Sequence, residues 1–132
     1  MKNLVLILAG AAMALTGTTA AARETAAERG EAKLASILEG RVAGEPVKCI
    51  SAIQSTRIQV IEHIGLVYDA GDTIYVARAI DPGTLDRWEV PVIDRFGSRL
   101  CSNDSIRTVD RTAGYITGPL FIEDFVPYTK RG

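Results

Sequence analysis

The sequence predicts a mainly β domain with one N-terminal helix, in the α+β class, built as a small antiparallel sheet, sandwich or barrel of six to seven short strands. Three observations predict it. Short runs rich in β-branched and aromatic residues follow one another from Cys49 towards the C-terminus. Turn residues separate these runs at intervals of about 8–12 residues, which is typical of compact antiparallel folds. One stretch with helical periodicity, residues 23–40, precedes them.

The first 22 residues have the three-part pattern of a secretory signal peptide. A short basic start, residues 1–3, precedes an apolar run over residues 4–15 and a tail of small residues that ends in three alanines before Arg23. The strongly apolar stretch is about a dozen residues, shorter than the roughly 20 that a bilayer span needs. We therefore expect cleavage before Arg23, a periplasmic or secreted product, and no membrane span in the mature chain.

The remaining 110 residues fit one domain, with an N-terminal helix and connector at 23–46 and a β-rich domain at 47–132. Lys2 is the only charged residue of the predicted signal peptide, so the mature chain carries 14 basic and 16 acidic side chains, a formal net charge of −2. Its charges are interspersed. This balance favours neither a nucleic-acid partner, which selects a clustered basic face, nor an anionic membrane surface.

The predicted helix is of uneven quality. Four apolar residues fall near one helical face: Ala27, Leu34, Ile37 and Leu38. Gly40 stands where a left-handed C-terminal cap is expected. Like-charged pairs at i,i+4 and a mid-helix Gly30 weaken the first half. We therefore expect residues 31–39 to be the dependable helix, the preceding residues to fray, and residues 41–46 to form a connector.

The strand-like runs follow in order at residues 58–61, 64–68, 73–79, 89–93, 99–101, 104–110 and 115–122. Residues 69–72 contain Gly71 and predict a hairpin loop. Residues 81–84, Asp-Pro-Gly-Thr, match a type II turn. Pro91 lacks a ladder donor and predicts an edge strand. The apolar tail, residues 121–128, is expected to pack on the domain, with Pro127 ending any strand there.

Cys49 and Cys101 predict one disulfide, because an even pair of cysteines in an exported chain is normally oxidised. The bridge closes a loop of about 50 residues, for which the chain-entropy model gives roughly 4 kcal/mol of stabilisation. The alternative, a reactive thiol, needs a partner histidine, and His63 is the only histidine in the chain.

The sequence contains no recognisable catalytic, cofactor-binding or metal-binding motif, so none of its residues is assigned to those roles. His63 could act as a general base, and a turn position without a chemical role is the other interpretation. Four aspartates fall near strand ends: Asp86, Asp94, Asp104 and Asp110. A carboxylate-dependent hydrolase needs two such groups about 5–10 Å apart in a cleft. Asn103 and Asp104 are also natural turn formers.

Trp88 is the one tryptophan, and its neighbours Arg87 and Glu89 are charged. This setting is compatible with partial exposure, and an exposed tryptophan is a frequent anchor at protein interfaces. Packing in the core is the alternative. Trp88 is therefore the candidate partner-binding residue.

Several short blocks resemble a family of small exported, cysteine-containing bacterial proteins found in sphingomonads and related alphaproteobacteria, to which no function is assigned. The blocks are Cys49-Ile50-Ser51, Arg57, Tyr75-Val76, Leu100-Cys101 with Asp104, Val109-Asp110-Arg111 and Phe125-Val126-Pro127-Tyr128. The resemblance spans about residues 41–130. Members of that family carry two further cysteines, near Pro82 and near Gly118, which this chain lacks. Their joint absence implies that Cys49 pairs with Cys101.

These observations predict a non-enzymatic binding or interaction module of the cell envelope that acts on an envelope or secreted protein. The alternatives are a small carboxylate-dependent hydrolase acting on an envelope polymer and a purely structural envelope protein. A pocket that joins two carboxylates with His63 or Arg107 would favour the hydrolase. A flat apolar patch around Trp88 would favour the binding module.

Overall fold

A computed structural model describes residues 23–94 and 97–132, and the predicted signal peptide lies outside this range. The α-helix and the β-strands of the described residues are α1 (Ala26–Ile37), β1 (Arg41–Ala43), β2 (Cys49–Ser51), β3 (Ile58–Ile61), β4 (Gly65–Asp69), β5 (Thr73–Arg78), β6 (Glu89–Asp94), β7 (Arg99–Cys101), β8 (Ser105–Asp110), β9 (Ile116–Pro119) and β10 (Val126–Lys130). The predicted fold class, mainly β with an N-terminal helix, is confirmed. The described residues hold ten strands rather than the predicted six to seven.

The strands form three antiparallel sheets. The largest has five strands in the order β1-β10-β5-β4-β3, a second has the order β6-β8-β9, and β2 pairs with β7. Isolated bridges from Val47 to Phe125 and from Ala79 to Ile122 lie just beyond the β1–β10 and β5–β10 pairings of the five-stranded sheet. The three sheets do not join into a closed barrel, so of the predicted architectures the barrel is excluded.

The core lies on both faces of the five-stranded sheet. On one face, α1 packs on the sheet and contributes Leu34 to a cluster of six buried residues: Leu34, Ile61, Ile64, Val67, Ile74 and Val76. On the other face, residues of the two smaller sheets and of the tail pack against β3, β4 and β5. Successive side chains of a strand point to opposite faces. For this reason β4 has buried side chains on both sides, with Leu66 and Val67 each at most 1 % exposed.

The first half of α1 is ordered, contrary to the predicted fraying. The Thr25 hydroxyl accepts a hydrogen bond from the backbone N–H of Glu28 at 3.1 Å, and the Glu28 carboxylate accepts one from the Thr25 N–H at 3.4 Å. This capping box satisfies two N–H groups that a helix start otherwise leaves unpaired. Gly30 is buried against the β3–β4 turn. The helix therefore starts at Ala26 rather than at residue 31.

Two strands differ from the predictions. β1 lies in the segment that was predicted to be a connector, and β10 contains Pro127, which was predicted to end any strand there. β10 lies between β1 and β5, in a position that normally excludes proline. Pro127 is tolerated because β1 ends at Ala43, and the Pro127 carbonyl accepts a hydrogen bond from the N–H of Gly44 at 2.7 Å. The missing donor of Pro127 thus falls just beyond the paired residues of β1.

Most predicted turns are present. Gly71 has φ +90° in the β4–β5 hairpin, and Gly40 has φ +74° after α1. The predicted type II turn is wrong, because Pro82–Thr84 form a 3₁₀ turn in which Gly83 does not need a positive φ. Pro91 lies on β6, an edge strand, as predicted. Phe125 of the tail is fully buried, so the tail packs on the domain as expected.

The predicted disulfide is confirmed. Cys49 of β2 lies opposite Cys101 of β7, and the bridge joins residues 52 positions apart. A disulfide is typical of proteins that reside in an oxidising compartment. Within the part of the chain that the structure describes, no helix is long and apolar enough to cross a membrane.

Candidate functional site

Trp88 lies on the surface with two arginines against its ring. The side chain is 45 % exposed. The guanidinium carbon of Arg87 lies 5.0 Å from the ring centroid, and that of Arg111 lies 5.7 Å from it. Both distances are within the range of cation–π attraction, which contributes about 0.5–1 kcal/mol at exposed sites. We call these three residues the Trp88 cluster.

Backbone hydrogen bonds fix the position of the Trp88 cluster. The Trp88 N–H donates to Asp86 Oδ1 at 2.6 Å, and the Trp88 carbonyl accepts from the N–H of Arg111 at 3.0 Å. The Arg111 guanidinium also donates to the Arg87 carbonyl at 2.7 Å. These bonds join the segment before β6 to the turn after β8. The Trp88 backbone and the Arg111 side chain are therefore held in place by the protein itself.

A groove of about 530 Å³ adjoins the cluster. It lies between β3 and β6, each an edge strand of its own sheet, and α1 borders it. Its charged lining consists of Arg29, Lys33, Arg87 and Arg111 with Glu62 and Glu89. Four basic and two acidic side chains give this basic groove a formal charge of +2, although the whole chain carries −1. The positive charge is thus a local property of this surface.

Only part of that charge is neutralised within the protein. Arg29 of α1 forms an ion pair with Glu62 of the β3–β4 turn, with Nε 3.0 Å from Oε1 and Nη2 3.4 Å from Oε2. The hydrogen bond to Glu62 raises the pKa of Arg29. Lys33 and Arg87, in contrast, have no acidic partner within 4.0 Å among the residues that the structure describes.

A smaller cavity of about 260 Å³ on the other side of Arg87 contains Glu62, His63 and Asp86. His63 lies in the β3–β4 turn with φ +55°, and its N–H donates to the Leu85 carbonyl at 3.2 Å. The cavity therefore has the residue types that would favour a carboxylate-dependent hydrolase, two carboxylates together with His63. Both carboxylates, however, already accept hydrogen bonds: Glu62 from Arg29, and Asp86 from the Trp88 N–H.

The other candidate aspartates have local structural contacts. Asp94 forms an ion pair with Arg107 at 3.0 Å. Asp104 accepts from the N–H of Cys101 at 2.7 Å in the turn that the sequence predicted. Asp110 Oδ1 accepts from Thr112 and Ala113 in the turn after β8, and these bonds lower the pKa of the Asp110 carboxyl. Over residues 23–94 and 97–132, no group of three or more His, Cys, Asp or Glu side chains could hold a metal ion.

The members of this site are far apart in the sequence, and no motif joins them. Arg29 and Lys33 lie in a helix about 55 residues before Trp88, and Arg111 lies 23 residues after it. The one available signal was the charged Asp-Arg-Trp-Glu segment around Trp88. The surface around Trp88 is not the flat apolar patch that would favour a binding module, because two arginines lie against the ring and Trp88 lines a cavity with Glu62 and Asp86.

No family model, curated protein or solved structure matches the chain.

Proposed function

We propose that this protein is a non-enzymatic binding module of the cell envelope whose contact surface is the Trp88 cluster with the basic groove. The observation that carries the proposal is the half-exposed Trp88 ring with the guanidinium carbons of two arginines 5.0 and 5.7 Å from its centroid. Tryptophan and arginine, together with tyrosine, are enriched among the residues that dominate binding energy at protein interfaces. Here the fold holds both types in one fixed position.

The charge of the surface indicates an acidic partner. A guanidinium stacked on an aromatic ring keeps its N–H donors in its own plane, where they can bind a carboxylate in a two-pronged contact. Arg87 has no acidic partner among the described residues, and Lys33 in the lining of the same groove adds a further positive charge. An acidic surface of an envelope or secreted protein would complement this groove.

The proposed location rests on the N-terminal segment and on the disulfide together. Residues 1–22 have the pattern of a signal peptide, and the Cys49–Cys101 bridge favours an oxidising compartment. Fractionation of cells that express the full chain tests it. We expect the protein, shortened to a start near Arg23, in the periplasmic or culture fraction. Recovery of the uncut chain from the cytoplasm would contradict the proposed location.

Affinity capture from an envelope extract tests the function. The bait is the processed protein, compared with Trp88→Ala and Arg87→Ser. Both side chains are exposed, so the fold should tolerate their loss. Arg99→Ser is the matched control, because Arg99 is an exposed arginine on β7 that does not line the groove. We expect one stoichiometric partner with the wild type and with Arg99→Ser, and at least a tenfold lower recovery with the other two variants. Equal recovery with all four baits would reject the proposal.

A carboxylate-dependent hydrolase is the second candidate, and the cavity that holds Glu62, His63 and Asp86 is the observation in its favour. Purified envelope polymers incubated with the protein would then release new reducing ends or amines. Asp86→Asn and Glu62→Gln should abolish that release. Cleavage lost in both variants, together with an empty capture experiment, would replace the binding module with the enzyme.

A further inference from the structure

A second cavity of about 300 Å³ lies between β6, β9 and the chain around Ile80. It differs from the basic groove in charge and in composition. Its two ionisable side chains are both acidic, Glu89 and Asp81, and no lysine, arginine or histidine lines it. Glu89 lies at the boundary, since it also lines the basic groove. We call this cavity the Glu89 cavity.

Glu89 is an unusual residue to find in this position. It is only 7 % exposed, and its carboxylate accepts one hydrogen bond in the described structure, from the N–H of Asp86 at 3.3 Å. Among the described residues no basic side chain lies within 4.0 Å of it. Burial of a carboxylate without a counter-charge is unfavourable, and such groups are normally paired. The cavity therefore places a buried, unpaired carboxylate beside open space.

Two hydroxyl groups add polar contacts to the same cavity. Thr108 is 4 % exposed, and its Oγ1 lies 2.7 Å from the Oγ1 of Thr117 on the neighbouring strand. Each hydroxyl oxygen has two lone pairs, so the pair can accept further hydrogen bonds. A carboxylate and hydroxyl oxygens are together suited to a donor-rich group, and an ammonium group carries up to three N–H donors.

The rim of the cavity is apolar and solvent-exposed. Ile80 is 65 % exposed and Phe121 is 67 % exposed, and the Ile80 N–H donates to the Phe121 carbonyl at 2.9 Å. Small-molecule sites are commonly lined by apolar side chains with a few polar groups that fix orientation, and they occupy about 300–1,000 Å³. The Glu89 cavity lies at the lower end of that range.

We propose that the Glu89 cavity binds a small organic cation, an ammonium group that carries a short apolar or aromatic substituent. The ammonium group contacts Glu89 and the threonine hydroxyls, and the substituent lies against Ile80 and Phe121. The cation supplies a direct ion-pair partner, which Glu89 lacks among the described residues. This site shares Glu89 with the lining of the basic groove, but its other residues are its own, and the proposal does not rest on the proposed function.

Titration of the ¹⁵N-labelled protein with phenethylammonium chloride, followed by amide chemical shifts at constant ionic strength, tests the proposal. The neutral analogue 2-phenylethanol is the matched probe, because it keeps the aromatic group and lacks the charge. We expect saturable shifts at residues 84–89 and 117–121, and binding of the ammonium at least tenfold tighter than binding of the alcohol. Equal binding of the two probes, or shifts centred elsewhere, would overturn the proposal.

Variants of the cavity distinguish the contribution of the Glu89 charge to binding from the contribution of the apolar rim. Glu89→Gln should weaken phenethylammonium at least tenfold and leave 2-phenylethanol unchanged. Glu123→Gln, which removes an exposed carboxylate outside the cavity, should leave both unchanged. Phe121→Ala should weaken both probes, and this variant keeps the core because the Phe121 side chain is exposed. If Glu89→Gln does not fold, the probe comparison and Phe121→Ala decide. Wild-type affinity of Phe121→Ala for both probes would contradict the site.

Discussion

Gly30 lowers the intrinsic helix propensity of α1, but the close packing of α1 on the β3–β4 turn requires a glycine at this position. A Cβ atom at this position would lie 2.1 Å from the Glu62 carbonyl oxygen, which is backbone and cannot move aside freely. Gly30→Ala should therefore lower the free energy of unfolding by about 1–3 kcal/mol, the usual cost of overpacking, despite the better helix propensity of alanine. Denaturant unfolding measures this change.

Gly83→Ala is the control for this prediction. Its Cβ atom would have Asp81 Oδ1 at 3.9 Å as its only neighbour within 4 Å, and its φ is not positive. The stability of this variant should change by less than about 1 kcal/mol. A Gly30→Ala variant as stable as Gly83→Ala would contradict the close packing of α1 on the β3–β4 turn.

Gly30 also shows where sequence reasoning fails for single residues. Propensity depends on the residue itself and predicted a weak helix at this position, whereas the close approach of Glu62 depends on the folded chain. Asp104 shows the opposite case. Its contact with the N–H of Cys101 spans three residues, so the turn was predictable. Trp88 was identified as a candidate because its charged neighbours are adjacent in sequence, but Arg111 reaches its ring only through the fold.

The start of α1 depends on its capping box. Thr25→Ala removes the hydroxyl that accepts the Glu28 N–H. We expect a loss of about 1 kcal/mol in the free energy of unfolding, within the 0.5–2 range for such caps. Thr25→Asn, which retains a capping oxygen, is the control and should restore most of the loss. If both variants match the wild type in denaturant unfolding, the helix does not begin at this cap.

An exposed ion pair attaches α1 to β5. Arg78 Nη1 lies 2.7 Å from Glu31 Oε1, and the hydrogen bond from Arg78 lowers the pKa of the Glu31 carboxyl below its usual 4.5. A carboxyl whose pKa is lower in the folded state stabilises the fold above the unfolded-state pKa, and this contribution disappears as the pH falls through the folded-state value. Both side chains are about half exposed, so the contribution is below about 1 kcal/mol.

We therefore expect Glu31→Gln to be slightly less stable than the wild type at about pH 7 and equally stable near pH 2.5. Denaturant unfolding at both pH values measures the difference. Glu39→Gln is the control, because Glu39 is exposed and makes no ion pair among the described residues. A difference between Glu31→Gln and wild type that grows as the pH falls would contradict the ion pair.

Strands rich in β-branched residues were predictable, and strands set by long-range pairing were not. β3, β5 and β6 carry β-branched residues and were located to within one residue at each end. β1 has three residues, two of them exposed, and exists because β10 pairs with it. Pro127 argued against a strand at β10, and the early end of β1 removes that objection.

For the whole molecule, the disulfide joins β2 to β7, a two-stranded sheet too small to be stable alone. The Cys49→Ala, Cys101→Ala double variant should lose about 2–4 kcal/mol of unfolding free energy, as expected for a loop of 52 residues. Thermal and denaturant unfolding measure the loss. Thiol labelling of the unreduced, denatured wild type should find no free thiol, and two labelled thiols would contradict the bridge.

The arrangement of layers could not be derived from the sequence. A single chain gives the number and type of elements approximately, but it does not say which faces of the sheet α1 and the smaller sheets cover. That arrangement positions α1, β3 and β6 around one groove and so brings Arg29 and Lys33 into the same lining as Arg87 and Arg111. The candidate site is therefore a property of the tertiary fold, and Trp88 is the one residue of the site that the sequence predicted.

The most direct test of the proposed function is the dissociation constant of the captured partner, measured by calorimetry at about 50 and 300 mM salt. We expect the wild type and Arg99→Ser to bind equally, Trp88→Ala to bind at least tenfold more weakly, and Arg87→Ser to bind more weakly with a smaller dependence on salt. Wild-type affinity in both Trp88→Ala and Arg87→Ser would contradict the claim that this protein binds through the Trp88 cluster.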